Sequence, residues 1–437
     1  MTDVSNPEIE KLEHTLVGLD PSMVRCPYAY YGALRDEPGL YYSQALGCYV
    51  VSRFDDVSKV VSDADLFTSR YSMGPPAFAD ADRARIWSAA GTDPEFADCR
   101  NEPPWIEQEE RTLVSADGEA HARTRKVVNL VFAPRRVNRL APRIEEISAE
   151  LIEGISHRDS WDFVPSFTQP YPSLVICAAL GVPPEDWHLF NGWIGDIARG
   201  VGSLNLSEED QYRRLRAHRD LSAYVRAMLK SRALEPRDDL VSVIATGAGT
   251  DAHLSANEQL DIVIQLLFAG NETTGNLLAS ALLRLGSDLQ LQSRLRSQPT
   301  LIPPFLEEML RLESPVQALF RTATRDTYIA GTAIPAGSAV MVVFASGNRD
   351  PAHFTDADNM QPLERLSERA QVHLSFGRGV HYCVGAPLAR LDTRIALEQI
   401  LGRLPMFELD TPEEAVERKP SFILHGPESV KVRRQRP

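Results

Sequence analysis

The stretch His373-Leu-Ser-Phe-Gly-Arg-Gly-Val-His-Tyr-Cys383-Val-Gly385 carries more chemistry than any other part of the chain. It sets one cysteine in a run of glycines, with Phe376 seven residues ahead and an alanine- and leucine-rich helical pattern behind. Gly377, Gly379 and Gly385 let the backbone take positive φ and approach a flat ligand closely. Such a turn aims amide N–H groups at the sulfur, and the start of the next helix adds positive potential. Both effects favour thiolate over thiol. A lone cysteine is most often a small buried hydrophobe. A thiolate on a glycine-rich loop, shielded by an aromatic ring, is instead what the axial ligand of a haem iron requires. The remaining cysteines (Cys26, Cys48, Cys99 and Cys177) are scattered without Cys-x-x-Cys spacing, so neither a disulfide framework nor a zinc site is indicated.

Three further groups of residues could do chemistry. Ala269-Gly270-Asn271-Glu272-Thr273-Thr274 interrupts a long apolar segment with polar side chains. A mid-helix glycine costs roughly 1 kcal/mol relative to alanine, and Glu and Thr are costly there unless paired. Standing alone, the string would be a tolerated polar patch or a threonine bonding back to its own helix. Glu308-Met-Leu-Arg311 is an i,i+3 acid–base pair, worth only a few tenths of a kcal/mol when exposed. His121-Ala-Arg-Thr-Arg125 places His and Arg on one helical face, which is most often a solvated surface.

The elements that must position these residues are mainly helical. Helices are expected at 28–36, 54–62, 119–132, 170–181, 184–199, 207–231, 255–285 and 301–312. Val137, Leu140, Ile144, Ile147 and Leu151 mark one amphipathic helix face. Ser255-Ala-Asn-Glu258 has the form of a capping box, and the long helix that it opens stops near Gly286. A hairpin is expected at 40–44 and 48–52, with strands at 327–330, 339–344, 421–425 and 429–433. The stretch from 70 to 113 reads as loop with a short helix at 80–90, and a loop that long is usually functional or disordered. The expected class is α+β, mainly α with small sheets, in a single domain over 1–437 with an extension at 1–26.

Composition is that of an ordinary globular protein with a large core: 43% hydrophobic and 24% charged. A net charge of −14 argues against a nucleic-acid partner. No apolar run is long enough to span a bilayer, and the polar, acidic N-terminus predicts neither signal peptide nor membrane anchor, so a cytoplasmic protein is expected.

The order Phe376-x-x-Gly379-x-x-x-Cys383-x-Gly385 resembles the haem-binding loop of the cytochrome P450 family. The resemblance reaches from about residue 27 to the C-terminus and includes Gly347-Asn-Arg-Asp-Pro351. It implies haem b held between a long central distal helix and the proximal cysteine loop, with Phe376, Gly377 and Gly385 around the ligand Cys383. Ala269 to Thr274 resembles the family's oxygen-activation motif. By that likeness Ala269 and Gly270 leave room for dioxygen, Glu272 delivers protons, and the Thr273 hydroxyl supports O–O cleavage, which needs two protons at the distal oxygen. His121, Arg125, Arg321 and His381 would pair the haem propionates. Glu308 and Arg311 would form a buried structural pair, with Arg365 as a candidate third partner. Two departures stand out: Asp117-Gly118-Glu119 replaces the usual Asp-Pro-Pro, and Met360 to Arg365 replaces Phe-Asp-x-x-Arg.

The same likeness places Leu267, Val316, Leu319, Phe320, Phe422 and Ile423 at the substrate pocket. These are apolar, so an apolar small molecule is expected. No dinucleotide fingerprint or cysteine cluster is present, so electrons should come from a separate ferredoxin and its reductase. Arg123, Lys126, Arg135 and Arg136 form a basic cluster suited to docking an acidic donor. The expected activity is a monooxygenase that hydroxylates or epoxidises. The alternatives are a peroxide-driven peroxygenase, against which the complete Glu272–Thr273 pair weighs, and a non-catalytic haem sensor or carrier.

Overall fold

The computed structural model describes residues 6–74, 96, 113–202, 206–364 and 373–435. Most of the 70–113 stretch, with the helix expected at 80–90, lies outside them, as does Arg365. Two helices precede the first expected element. α1 (Pro7–Val17) and α2 (Pro21–Arg25) start on Asn6 and Asp20, whose side chains accept N–H groups of the first turn. Ile9 and Leu16 of α1 are buried in one cluster with Tyr30, Tyr31 and Leu34 of α3 (Tyr28–Asp36).

β1 (Tyr41–Ser43), β2 (Cys48–Val51), α4 (Phe54–Ser62) and β3 (Phe67–Thr68) follow. Next come α5 (Gly118–Val131), α6 (Pro134–Arg139), α7 (Ala141–Ser156), β4 (Ser160–Asp162), α8 (Pro170–Leu180), α9 (Trp187–Ala198), α10 (Glu208–Leu234) and α11 (Leu240–Thr246). The second half holds α12 (Ala256–Ser287), α13 (Leu289–Ser297), α14 (Ile302–Leu312), β5 (Ala318–Ala323), β6 (Thr327–Ile329), β7 (Thr332–Ile334), β8 (Ala339–Val343), α15 (Phe344–Gly347), α16 (Ala386–Arg403), β9 (Phe407–Leu409) and β10 (Lys431–Arg434).

The helix α12 is the axis of the molecule, about 48 Å long at 1.5 Å per residue. Both arms of its capping box are present: Glu258 N–H donates to Ser255 Oγ, and Ser255 N–H donates to Glu258 Oε2. It packs against α8, α10, α14 and α16 in the largest apolar cluster. Two small sheets flank this body. One has the order β1-β2-β8-β5-β3, in which β2 and β8 run parallel and the other pairs antiparallel. The other is β4-β10-β9, and β6 and β7 form a hairpin apart.

Two expectations need correction. The helix face from Val137 to Leu151 belongs to two helices, α6 and α7. Pro142, in the first turn of α7, has no N–H to continue a ladder from α6, so the chain re-initiates there. The strand expected at 421–425 is a turn that makes a single bridge, Leu424 to Val316. The Ser421 hydroxyl accepts from the N–H groups of Ile423 (3.1 Å) and Leu424 (2.9 Å), drawing the backbone out of an extended ladder.

Candidate active site

Cys383 sits at the end of a tightly closed loop. Its N–H donates to Phe376 O (2.8 Å), and Tyr382 N–H donates to Gly379 O (3.1 Å). Gly377 and Gly379 have φ of +65° and +68°, as a left-handed turn demands, whereas Gly385 is right-handed. Gly379 also lies against the end of α4: a Cβ there would stand 3.0 Å from Ser62 Cα. Burial pushes the Cys383 thiol above its ordinary range, against the pull of the Gly385 and Ala386 N–H groups and of Arg125 and Arg390. The N–H groups of the turn and helix start thus act on the sulfur as the sequence predicts, and burial opposes them. A metal would complete the deprotonation, because coordination strips a thiol of its proton.

The loop is braced from both sides. Arg390 of α16 grips Glu307 of α14 with two bonds (2.7 and 2.9 Å), donates to Tyr382 Oη (3.2 Å), and lies 4.5 Å over the Phe376 ring. His373 Nε2 lies 3.2 Å from the same Glu307 carboxylate. Burial would raise Glu307, but Arg390 and His373 outweigh it and hold the carboxyl at about 2. None of Glu307, Arg390 or His373 was singled out by the sequence. The pairs are 83 and 66 residues apart, and no local pattern joins them.

Opposite the loop, α5 and β5 bring cations together. The His121 and His381 rings are 4.3 Å apart. Arg125 reaches Tyr382 O (2.6 Å), and Arg321 is buried with Nη1 on Phe320 O (2.7 Å). Asp117 does not cap α5. Its carboxylate instead accepts from Ser69 N–H (2.7 Å) and the Thr68 hydroxyl and lies 3.1 Å from His381 Nε2, a role that sequence reasoning missed. Burial, with help from His381 and Arg125, depresses His121 to about 4. Burial likewise depresses Arg321 to about 10, with Asp117 opposing. Among the described residues, His121 Nε2 is buried without a hydrogen-bond partner. A buried group of donors with Asp117 as its carboxylate among the described residues is short of anions. Two propionates would supply them, so these residues fit a haem.

On α12, residues 256–287 form one continuous α-helix, so the ladder stays closed through the polar string. The capping box and burial on most sides hold it. Within the polar string the Thr273 hydroxyl competes for a carbonyl, donating to Ala269 O (2.7 Å). Gly270 is not sterically required, since a Cβ would meet Ile176 at an ordinary 3.5 Å. Glu272 is ion-paired with Lys419, another residue that the sequence did not flag.

Among the expected pocket residues, Val316 and Leu319 are partly buried, and Leu267, Phe422 and Ile423 are buried. Phe320 is set apart from Leu319 by the pleat of β5. Strand side chains alternate, so it lies on the opposite face of β5 from Leu319 and Arg321, fully enclosed in the cluster with Met341, Val343 and Phe422.

The Glu308–Arg311 pair is closed from solvent and bidentate (2.9 and 2.6 Å). Arg311 also donates to the carbonyls of Asn348, Ala357 and Asn359, and Glu308 accepts from Gln361 N–H. The basic cluster is less basic than its sequence: Arg123 pairs with Glu258, Lys126 with Asp251, and Arg136 lies 3.9 Å from Asp238. Arg135 is exposed.

A family model described as cytochrome P450 matches residues 211–433. Cytochrome P450 109 of Bacillus spizizenii is 31% identical over 93% of this chain and 91% of its own length. Mycinamicin IV hydroxylase/epoxidase of Micromonospora griseorubida is 33% identical, covering 88% of this chain and 89% of its own length. The crystal structure of cytochrome P450 CYP109Q5 from Chondromyces apiculatus superposes with a TM-score of 0.79 at 32% identity, covering 95% of this chain and 97% of its own length. The cysteine loop, the basic pocket and the central helix thus sit in a fold shared with these proteins, and the chain belongs to the cytochrome P450 family of haem-thiolate monooxygenases.

Proposed function

We propose that this chain holds haem b, takes electrons from a separate ferredoxin-type protein and its reductase, and inserts one atom of O2 into an apolar small molecule by hydroxylation or epoxidation. The observation that carries the reading is the pairing of the pinned Cys383 loop with a buried donor pocket that is short of anions. Cys383 would ligate the iron, and His121, Arg125, Arg321 and His381 would take the propionates. The haem supplies the redox chemistry that activates dioxygen. The chain supplies positions and protons: the Glu272 carboxylate is the acid, and the Thr273 hydroxyl, parked on Ala269 O, swings off its carbonyl to hydrogen-bond in the pocket. Carbon monoxide binding to the dithionite-reduced protein tests the ligand. A strongly red-shifted Soret band in wild type, lost in Cys383→Ala, is the expected result, and a band unchanged by the substitution would refute it.

An apolar substrate is supported by Leu267, Val316, Leu319, Phe422 and Ile423 and by relatives named mycinamicin IV hydroxylase/epoxidase, 6-deoxyerythronolide B hydroxylase and steroid C26-monooxygenase. Titrating macrolide and steroid scaffolds against the spin-state spectrum would identify the class. Because Arg123 and Lys126 hold internal carboxylates, Arg135→Glu is the cleaner probe of donor docking, and it should raise the KM for ferredoxin. Among the described residues no helix is long and apolar enough to cross a membrane, and Cys26, Cys48, Cys177 and Cys383 are free thiols, which suits a reducing cytoplasm.

A further inference from the structure

The segment 417–428 folds back on itself, with Lys419 N–H donating to Gly426 O (3.1 Å) and Glu428 N–H donating to Glu417 O (2.9 Å). It touches three parts of the pocket at once. Its turn is stitched to the chain after α9, where Phe422 N–H donates to Gly202 O (3.3 Å) and Ser421 Oγ to Val201 O (2.8 Å). Gly202 has φ of +72°, and a Cβ there would meet Ile423 N at 2.8 Å, so the seam is tight. Its outgoing arm is bonded to the strand entry below: Gln317 N–H donates to Ile423 O (2.7 Å) and His425 N–H to Pro315 O (2.9 Å). Its stem lies on α12, with Lys419 on Glu272 and Gly426 hard against Asn276. Glu272 and Asn276 are four residues apart and share one helix face.

We propose that this hairpin is a latch, and that Lys419 is the positioning residue that holds Glu272 back until a molecule in the pocket displaces Phe422 and Ile423. The inference rests on Glu272 being the acid. A carboxylate engaged by an ammonium has its side chain fixed and an accepting oxygen occupied, so it cannot turn to carry a proton. Phe422 and Ile423 project from the same short turn that the stem supports, and a well-packed element moves as a unit rather than bending locally. Pressure on the tip therefore shifts Lys419.

Footprinting with an amine-acylating reagent, read by mass spectrometry, tests the latch without turnover. In holoprotein, labelling at Lys419 relative to exposed Lys431 should rise several-fold when 4-phenylimidazole fills the pocket, and should already be high in Glu272→Gln. Labelling that ignores both the probe and the substitution would overturn the proposal. A second readout uses plant-type ferredoxin and its reductase with no substrate, where each dioxygen takes two electrons and two protons and leaves as hydrogen peroxide. Lys419→Met should raise reduced-nicotinamide consumption several-fold, Lys419→Arg should restore the wild-type rate, and Glu272→Gln in the Lys419→Met background should abolish the gain. No gain in Lys419→Met overturns the latch alone. A gain that survives in the double variant overturns the role of Glu272 and the latch with it.

Discussion

Arg311 uses all five of its N–H donors inside the protein: two on Glu308 and one each on the carbonyls of Asn348, Ala357 and Asn359. Its side chain is 1% exposed and that of Glu308 2%. Arg311→Lys keeps the charge but has three donors on a tetrahedral nitrogen in place of a planar fork. If one donor stays on Glu308, at least one of the three carbonyls is orphaned, at about 1–3 kcal/mol, and the bidentate geometry is lost as well. A destabilisation of about 2–4 kcal/mol follows. Arg311→Ala strands Glu308 as a buried, uncompensated charge, which costs about 3–5 kcal/mol, and orphans all three carbonyls. The total exceeds roughly 5 kcal/mol, comparable with the whole stability of a typical fold. Urea unfolding at pH 7, followed by tryptophan fluorescence and by haem retention, measures both variants. An Arg311→Lys protein within about 1 kcal/mol of wild type would refute the reasoning, since no orphaned carbonyl is that cheap.

Three other outcomes are expected. Gly379→Ala must place a Cβ at φ +68° and 3.0 Å from Ser62 Cα, so haem occupancy after purification should fall several-fold, as read from the Soret-to-protein absorbance ratio. His121→Ala removes a ring nitrogen, Nε2, that has no hydrogen-bond partner among the described residues, so it should weaken haem retention in transfer assays to apomyoglobin while leaving the urea midpoint of the haem-free protein nearly unchanged. Glu307 and Glu313 both have carboxyls held at about 2, below the ordinary 4.5. A depressed carboxyl stabilises the fold fully above its unfolded pKa, and that contribution is lost as pH falls from about 4.5 towards 2. The urea midpoint should drop through that window, and Glu307→Gln should make the drop shallower.

Local signals in the sequence carried further than long-range ones. The capping box at Ser255, the glycines at 377 and 379 and the spacing of the helices depend on a few neighbouring residues, and these features stand in the structure as read. β3, β4, β7 and β9 are two or three residues long, too short for an alternating pattern to register. The pairing of Lys419 with Glu272 spans 147 residues, and neither partner's surroundings hint at the other. The carboxylates that pair with the basic cluster, Glu258, Asp251 and Asp238, arrive from distant segments and could not be read beside it. The Cys383 thiol shows the same division between local and distant effects. The turn geometry that lowers it is local, but the burial that raises it comes from the whole fold.

The parallel pairing of β2 with β8 has a consequence for how the protein is made. Residues 48–51 find their ladder partners only at 339–342, and Phe54 N–H waits for the Asp350 carboxylate 296 residues later. At ribosomal rates of about 5–20 residues per second, the first hairpin is exposed for roughly 15–60 s before its neighbour exists. The helices up to α14 can collapse during that interval from contacts closer in sequence, and the sheet closes only after them. Nascent chains stalled before residue 339 should therefore keep an unpaired, apolar strand edge at Cys48–Val51. In a cell, that edge is where chaperones would meet this protein first.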